Sequence, residues 1–314
     1  IVNDRTFHRC LLVVDDRSCG DLLRDGDIDG VVRKAIRLGL DPVRAIQMAT
    51  INPAQYFRLD GQGAVAPGYR ADLMVFSSLG DLDIGMVFHR GRLVARDGQA
   101  LFNIPAGGDG LLTGTVRLGP FQMSGLRIPA HRRSQPVIEV VPGQITTIKS
   151  PAEGRVLDGA VVGDVERDIL KLAVVERHSG SGRTAAALVK GFGLTRGALA
   201  SSIAHDAHNI VAVGVEDDDL YTAVRELERL QGGLVAVAEG RVLASLPLPV
   251  AGLLSDEPLE TVVEGLGRVE AAAAALGCTL ASPFSTLSFL ALPVIPQVRL
   301  TDLGLVDVER FELV

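Results

Sequence analysis

Apolar positions recur along this 314-residue chain with two different periods. Near the start, Leu11-Leu12-Val13-Val14 is an unbroken apolar run that stops at two adjacent carboxylates, Asp15 and Asp16. A run this short predicts a strand buried on both faces, as in a parallel sheet. Beyond it, Ile28, Val31, Val32, Ala35 and Ile36 fall at helical spacing, and Gly39 is a natural stop for that helix. Asp41-Pro42 offers an N-cap and a proline at the first helical position of a second helix through Met48. Asn52-Pro53 breaks it and opens a third, short helix through Phe57.

From Gly61 to Gln99 the period shortens to that of strands. Leu73-Met74-Val75-Phe76 predicts a buried strand, and Val87 to Val94 a hairpin turning at Arg90-Gly91. Asp72 reads as a turn or salt-bridge residue and His89 as a surface residue. Residues 101–154 are rich in Gly, Pro and polar side chains and read as a connector with short strands at Thr115–Leu118 and Val137–Val141. His131, among Arg132, Arg133 and Ser134, is expected to be solvated. The last part predicts an α+β pattern. Its strands are Ile169–Val175, Ala186–Val189, Ile210–Val213 and Leu234–Val237, with another around Ala200–Ser202. Its helices run from Leu220 to Leu230, behind Asp217–Asp219, and from Leu259 to Leu276, ended by Gly277. Ser255-Asp256-Glu257-Pro258 reads as a helix start.

Composition narrows the class. With 47% hydrophobic residues and a mean hydropathy of +0.28, the chain can bury a sizeable core. A net charge of -7 and a pI near 5.4 argue against a nucleic-acid surface. No apolar run is long enough to span a membrane, and no secretory signal is visible, although Ile1 is not an initiator methionine. Cys10, Cys19 and Cys278 are scattered, which fits free thiols in a cytoplasmic protein and no disulfide framework.

For the chemistry, the acidic pair comes first. Asp15 and Asp16 either cap the next helix, as Asp often does, or stand at the C-terminal end of a barrel strand, where such folds place their sites. The surrounding residues tip this balance. Asp25-Gly26-Asp27-Ile28-Asp29, Asp41 to Ala54 and Ala66-Pro67-Gly68-Tyr69-Arg70-Ala71-Asp72-Leu73 resemble the end of an amidohydrolase-superfamily barrel, specifically that of the bacterial-type adenine deaminases. The resemblance continues through Glu176-Arg177-His178, Val189-Lys190-Gly191-Phe192-Gly193-Leu194, Ala204-His205-Asp206-Ala207-His208-Asn209 and Thr286 to Pro296. It implies an α/β plus α+β chain with three parts. Residues 1–60 are the last strand and closing helices of a metal-dependent (β/α) barrel, 61–105 part of a small β-sandwich, and 106–314 a connector and a C-terminal α+β domain.

The resemblance also implies an activity, deamination of adenine to hypoxanthine by metal-activated water. Asp15 then stands at the last-strand aspartate, with metal ligation and proton shuttling as its roles, and Asp16 orients it, contacts substrate or caps the helix. The implied cofactor is a pair of divalent ions, manganese or iron ahead of zinc. No His-x-His pair occurs, and a lone carboxylate cannot hold two hard ions. The chain therefore reads as a C-terminal portion that is inactive alone and is completed upstream, in a homo-oligomer with no nucleic-acid or membrane partner. Val14, Ser18 and Asp27 stand where the family pattern has Thr, His and His, which bears on substrate choice. The alternatives are an amidohydrolase for another base or cyclic amide, and a non-catalytic domain for oligomerisation or ligand binding.

A second cluster, His178 with His205, Asp206 and His208, sets two histidines three apart, on one face if helical. A mononuclear metal or anion site is one reading, and Gly180-Ser181-Gly182-Arg183 is a weak anion cradle. Polar groups that satisfy buried backbone are the reading favoured here.

Overall fold

The computed structural model describes residues 2–3, 5–103, 112–131 and 134–314, which fall into two compact units, Ile1–Gly107 and Gly108–Val314. The predicted boundary at 105/106 and the residues Arg132 and Arg133 lie outside the described residues.

The first unit opens with a 3-10 turn, Phe7–Arg9, and four helices: α1 (Cys19–Asp25), α2 (Ile28–Arg37), α3 (Pro42–Ala49) and α4 (Ile51–Tyr56). The α2 and α3 predictions hold to within a residue, and Asp41 caps α3 by accepting from the Arg44 N–H at 3.0 Å. Helix α1 was not anticipated. The third predicted helix begins earlier than expected, because the break falls at Thr50 and Asn52-Pro53 lies inside α4. Proline is tolerated in a first turn, where its missing N–H has no partner to lose. Residues 11–14 form no strand. The segment is extended, but its tie to a neighbouring element is a single backbone bond from Leu12 N to Met48 O, and Val13 is 62% exposed. A strand needs a ladder, and no described strand lies beside this one.

A four-stranded antiparallel sheet follows: β1 (Leu73–Phe76), β2 (Ile84–His89), β3 (Arg92–Arg96) and β4 (Gln99–Ala100), in sequence order. The hairpin turns where expected, with Arg90 and Gly91 both at positive φ, the pairing a two-residue turn of this hand requires. Strand β1 has the expected bounds but is not buried, since Met74 and Val75 are 36% and 45% exposed. The unit's small core is Val32, Ala45 and Leu82, flanked by Leu12, Ile36 and Phe76.

In the second unit the remaining strands are β5 (Ile128–Pro129), β6 (Ser134–Val140), β7 (Thr147–Glu153), β8 (Arg155–Leu157), β9 (Ala160–Val162), β10 (Ile169–Val175), β11 (Thr184–Lys190), β12 (Ala198–Ser201), β13 (Ile210–Gly214), β14 (Gly233–Ala238), β15 (Arg241–Pro247), β16 (Val298–Thr301), β17 (Gly304–Asp307) and β18 (Glu312–Leu313). Eight of them form one sheet in the order β15-β14-β12-β13-β10-β11-β6-β7, antiparallel except where β11 meets β6. The expected connector is therefore part of the fold, because β6 and β7 extend this sheet. The predicted strand at 115–118 is absent. That segment instead sends Val116 and Leu118 into the core beneath α5 (Asp217–Leu230).

All seven residues of β10 are buried, and they alternate between two cores. Leu170, Leu172 and Val174 face α6 (Leu259–Ala275) and α7 (Pro283–Phe289), and Ala173 and Val175 face α5. A continuous apolar run is the sequence form of such a doubly covered strand. Its one charge, Lys171, is met by both carboxylate oxygens of Asp217 at 2.6 and 2.8 Å.

Asp168, in the left-handed region just before β10, closes the opposite end of the β10–β11 hairpin. Its two oxygens accept from Gly191 N at 2.9 Å and Gly193 N at 2.8 Å, fixing the Lys190-Gly191-Phe192-Gly193 turn. Hydrogen bonds to an ionised acceptor contribute about 1.5 to 3 kcal/mol each. Asp168→Ala is expected to lower the unfolding free energy by about 3 kcal/mol. Urea titration should show this as a lower midpoint at unchanged slope.

Candidate active site: the acidic pair and the histidine loop

The acidic pair is held by what precedes it. Asn52, buried in α4, donates from Nδ2 to Phe7 O at 2.9 Å and to Cys10 O at 3.0 Å, pinning the segment five residues before Asp15. On the other side, Arg17 reaches across to the turn before α2, donating to Asp27 O at 3.1 Å. Between these anchors Asp15 and Asp16 are exposed, and Asp15 Oδ1 accepts from Asp16 N at 2.8 Å. Neither carboxylate caps α1. Ser18 does, accepting from Asp21 N at 3.0 Å, so the capping role considered for the pair belongs to Ser18. Asn52 is the residue sequence reading missed here, because a polar side chain inside a helix start carries no signal of a partner more than forty positions away.

The motifs of the second unit converge on the end of β10. Glu176, 4% exposed, accepts from Ser179 N at 2.8 Å, Ser179 Oγ at 2.7 Å, Ser181 N at 3.2 Å, Ser181 Oγ at 2.7 Å and His178 N at 2.5 Å. The Gly180-Ser181-Gly182 turn is thus an anion cradle, and the anion in it is the chain's own carboxylate. Burial pushes the Glu176 carboxyl up, but the Ser179, Ser181 and His178 donors outweigh it and hold the group far below the ordinary carboxylate range.

Arg177, 1% exposed, points the other way. Its Nε donates to His208 O, and its Nη2 to Ala251 O at 3.0 Å, while Nη1 makes no hydrogen bond to the described protein atoms. Burial lowers its pKa. Gly252 lies against the guanidinium so closely that a Cβ there would stand 2.5 Å from Nη1.

Residues 203–209 form a tight turn between β12 and β13, so the helical spacing considered for His205 and His208 does not arise. The chain must reverse within a few residues between paired antiparallel strands, which leaves no room for a helix. The two rings lie 5.9 Å apart, and His208 sits at φ +50°. Ala204 N donates to His208 Nδ1 at 3.4 Å, and exposed His178 bridges from Nε2 to Ala207 O at 2.8 Å. His205 packs against Phe289 of α7, the ring centroids 4.6 Å apart and the planes tilted by 34°. Asn209 donates to Asp302 Oδ1 at 3.1 Å, and Arg183 to Asp302 Oδ2 at 2.5 Å. Burial, His205 and Arg177 lower the His208 pKa, with Asp206 opposing them. Among the described residues no three His, Cys, Asp or Glu side chains are grouped so as to hold a metal ion. What the loop does is tie strand ends together through main-chain groups. Glu176 and Arg177 were visible only as motif members. A charged pair directly after a seven-residue buried strand was the available signal.

The three cysteines are free, His131 is exposed, and Asp72 accepts from Arg90 N at 2.9 Å while pairing with Arg70 and with His89 Nδ1 at 3.1 Å. No helix among the described residues is long and apolar enough to cross a membrane.

Comparison with known proteins agrees with this division. Residues 144–312 match the adenine deaminase C-terminal domain, and residues 3–94 match the amidohydrolase family. An adenine deaminase of Dehalococcoides mccartyi strain 195 is 57% identical over the whole chain, adenine deaminase 2 of Carboxydothermus hydrogenoformans 46%, and an adenine deaminase of Methanothrix thermoacetophila 47% over 99% of it. The chain spans about 55% of the length of the first two relatives and 54% of the third.

Two outcomes follow from the loop's geometry. Gly252→Ala should destabilise the second unit by about 1–3 kcal/mol, the usual cost of overpacking, because clamped Arg177 cannot retreat. Thermal unfolding measures this. A histidine whose folded pKa is depressed stabilises above its unfolded value, about 6.5, and loses that contribution as pH falls through the folded value. Amide protection factors in residues 203–209, corrected for the intrinsic exchange rate at each pH, should therefore fall between pH 7.5 and 5.5, and His208→Asn, which tolerates positive φ, should flatten the dependence.

Proposed function

Since the chain belongs to the family of adenine deaminase C-terminal domains, we propose that it works as part of an adenine deaminase, which converts adenine and water to hypoxanthine and ammonia. The observation that carries this reading is the identity, over the whole of this chain, to relatives bearing that name, which spans both units and every motif described above.

In this reading residues 1–60 are the closing part of a metal-dependent barrel, with the extended residues 11–14 becoming its last strand only when paired with further chain, and 61–105 are part of a small β-sandwich. Support comes from the surface of the first unit, where Val13, Tyr56, Phe57, Met74 and Val75 are all more than a third exposed. Such a density of uncovered apolar side chains is expected where further chain packs against them.

The carboxylate of Asp15 is an exposed, hard oxygen donor of the kind divalent ions such as manganese, iron or zinc accept. It fits one position of a metal centre and no more, so the other ligands must come from beyond these 314 residues. A divalent ion, when bound, lowers the pKa of a water to about 7, which makes a nucleophile available at neutral pH. Asp15 would hold such an ion from one side and take up the proton released as water adds to the purine ring, returning it to the departing ammonia. Asp16, whose N–H is given to Asp15, orients it and borders the substrate. The second unit, whose His178 and His208 are engaged by main chain, serves binding and assembly in a homo-oligomer.

The 314 residues alone are expected to lack turnover. In the full-length enzyme, Asp15→Ala should cut kcat by at least about a hundredfold, the low end for loss of a proton-transferring group, at unchanged thermal stability. Normal turnover of that variant would remove Asp15 from the mechanism.

A further inference from the structure

The second unit carries a cavity of about 470 Å³ between the loop joining β6 to β7 and the residues leading into and along α7. Its size is in the range that holds small organic ligands. Among the described residues no side chain lining it is charged, in a chain that is 22% charged. A charged ligand would give up its hydration there without meeting a counter-ion, so the walls select a neutral one.

The lining supplies the three things a heterocyclic base needs. Phe289 offers an aromatic ring that is already ordered, because His205 packs on it at 4.6 Å. Ser282, Ser285 and Thr286 place hydroxyls around it that make no hydrogen bond to the described residues, so both donor and acceptor capacity is available. Gln144, on the β6–β7 loop, adds a side-chain amide that likewise makes no hydrogen bond to the described residues. An amide presents one donor and one acceptor side by side, the arrangement that pairs with the N7 acceptor and N6 amino donor of adenine. Purine, which keeps the N7 acceptor and lacks the amino donor, can satisfy only half of it. The cavity is also held open from behind. Gly191 lines it, and the turn carrying Gly191 is fixed by Asp168.

We propose that this cavity is a binding site for adenine, separate from the reaction centre that Asp15 serves, with Phe289 as its stacking surface and Gln144 as its discriminating residue. The choice of adenine among neutral bases rests on the functional reading above. The site retains or senses substrate and takes no part in the chemistry.

The test is calorimetric titration of the metal-free 314-residue chain with adenine and with unsubstituted purine, where no turnover can consume the ligand. One adenine per chain should bind, and purine should bind at least about tenfold more weakly, as loss of one bidentate pairing implies. Gln144→Leu, on an exposed loop, should bring the two affinities together, and Thr286→Val should weaken both. Asp15→Ala should change neither. Absent adenine binding, equal affinity for the two bases, or indifference to Gln144→Leu overturns the proposal. Because turnover is measured separately on the full-length enzyme, failure here with deamination intact removes this site alone. Binding here without deamination in the full-length enzyme removes the enzymatic reading alone.

Discussion

Strand β10 drives seven buried residues through the middle of the second unit and then delivers two opposite charges, Glu176 and Arg177, to positions closed to water. Successive side chains leave a strand on opposite faces, so the two cannot neutralise one another. Each ion therefore needs its own set of partners, since an unmet buried charge costs several kcal/mol. Glu176 gathers the Ser179–Ser181 turn around itself, and Arg177 gathers the carbonyls of His208 and Ala251. Three separate loops are thereby fixed to one strand end, and the shape of the histidine loop follows from the guanidinium beneath it.

The same logic, a charged side chain satisfying a turn's main chain, recurs through the unit. Asp168 closes the β10–β11 end, and Asp219 accepts from Glu239 N and Gly240 N to close β14–β15. Lys171 is met by Asp217 at the start of α5. Many polar residues that suggest chemistry when read singly are thus engaged in holding loops. The cavity beside α7 is the contrast, because its hydroxyls and amide are not engaged in this way.

The first unit is organised differently. Its core is small, its extended segment at 11–14 has one backbone tie to a neighbouring element, and its acidic pair stands exposed between anchors at Asn52 and Arg17. Exposure leaves the Asp15 carboxylate open to solvent, which the metal-ligand role proposed for it requires. That arrangement suits a carboxylate that closes a site and does not create one.

Local pattern alone determined the helices α2, α3, α5 and α6, the central strands of the large sheet and the β2–β3 hairpin. Each is specified by neighbours within a few positions, through apolar period, cap and turn residues. The motif segments stood out only through their resemblance to a known family, which did not give their purposes. Tertiary structure decided the rest, for one physical reason: a polar or apolar side chain has no meaning until its partner is in place. Four apolar residues, Leu11 to Val14, make a strand only beside another strand. A serine–glycine turn is an anion site only for an anion that is not already its own glutamate. Asn52 finds Phe7 and Cys10 more than forty residues back, and Arg177 finds Ala251 seventy-four residues ahead. Contacts at such separations leave no local trace in the sequence.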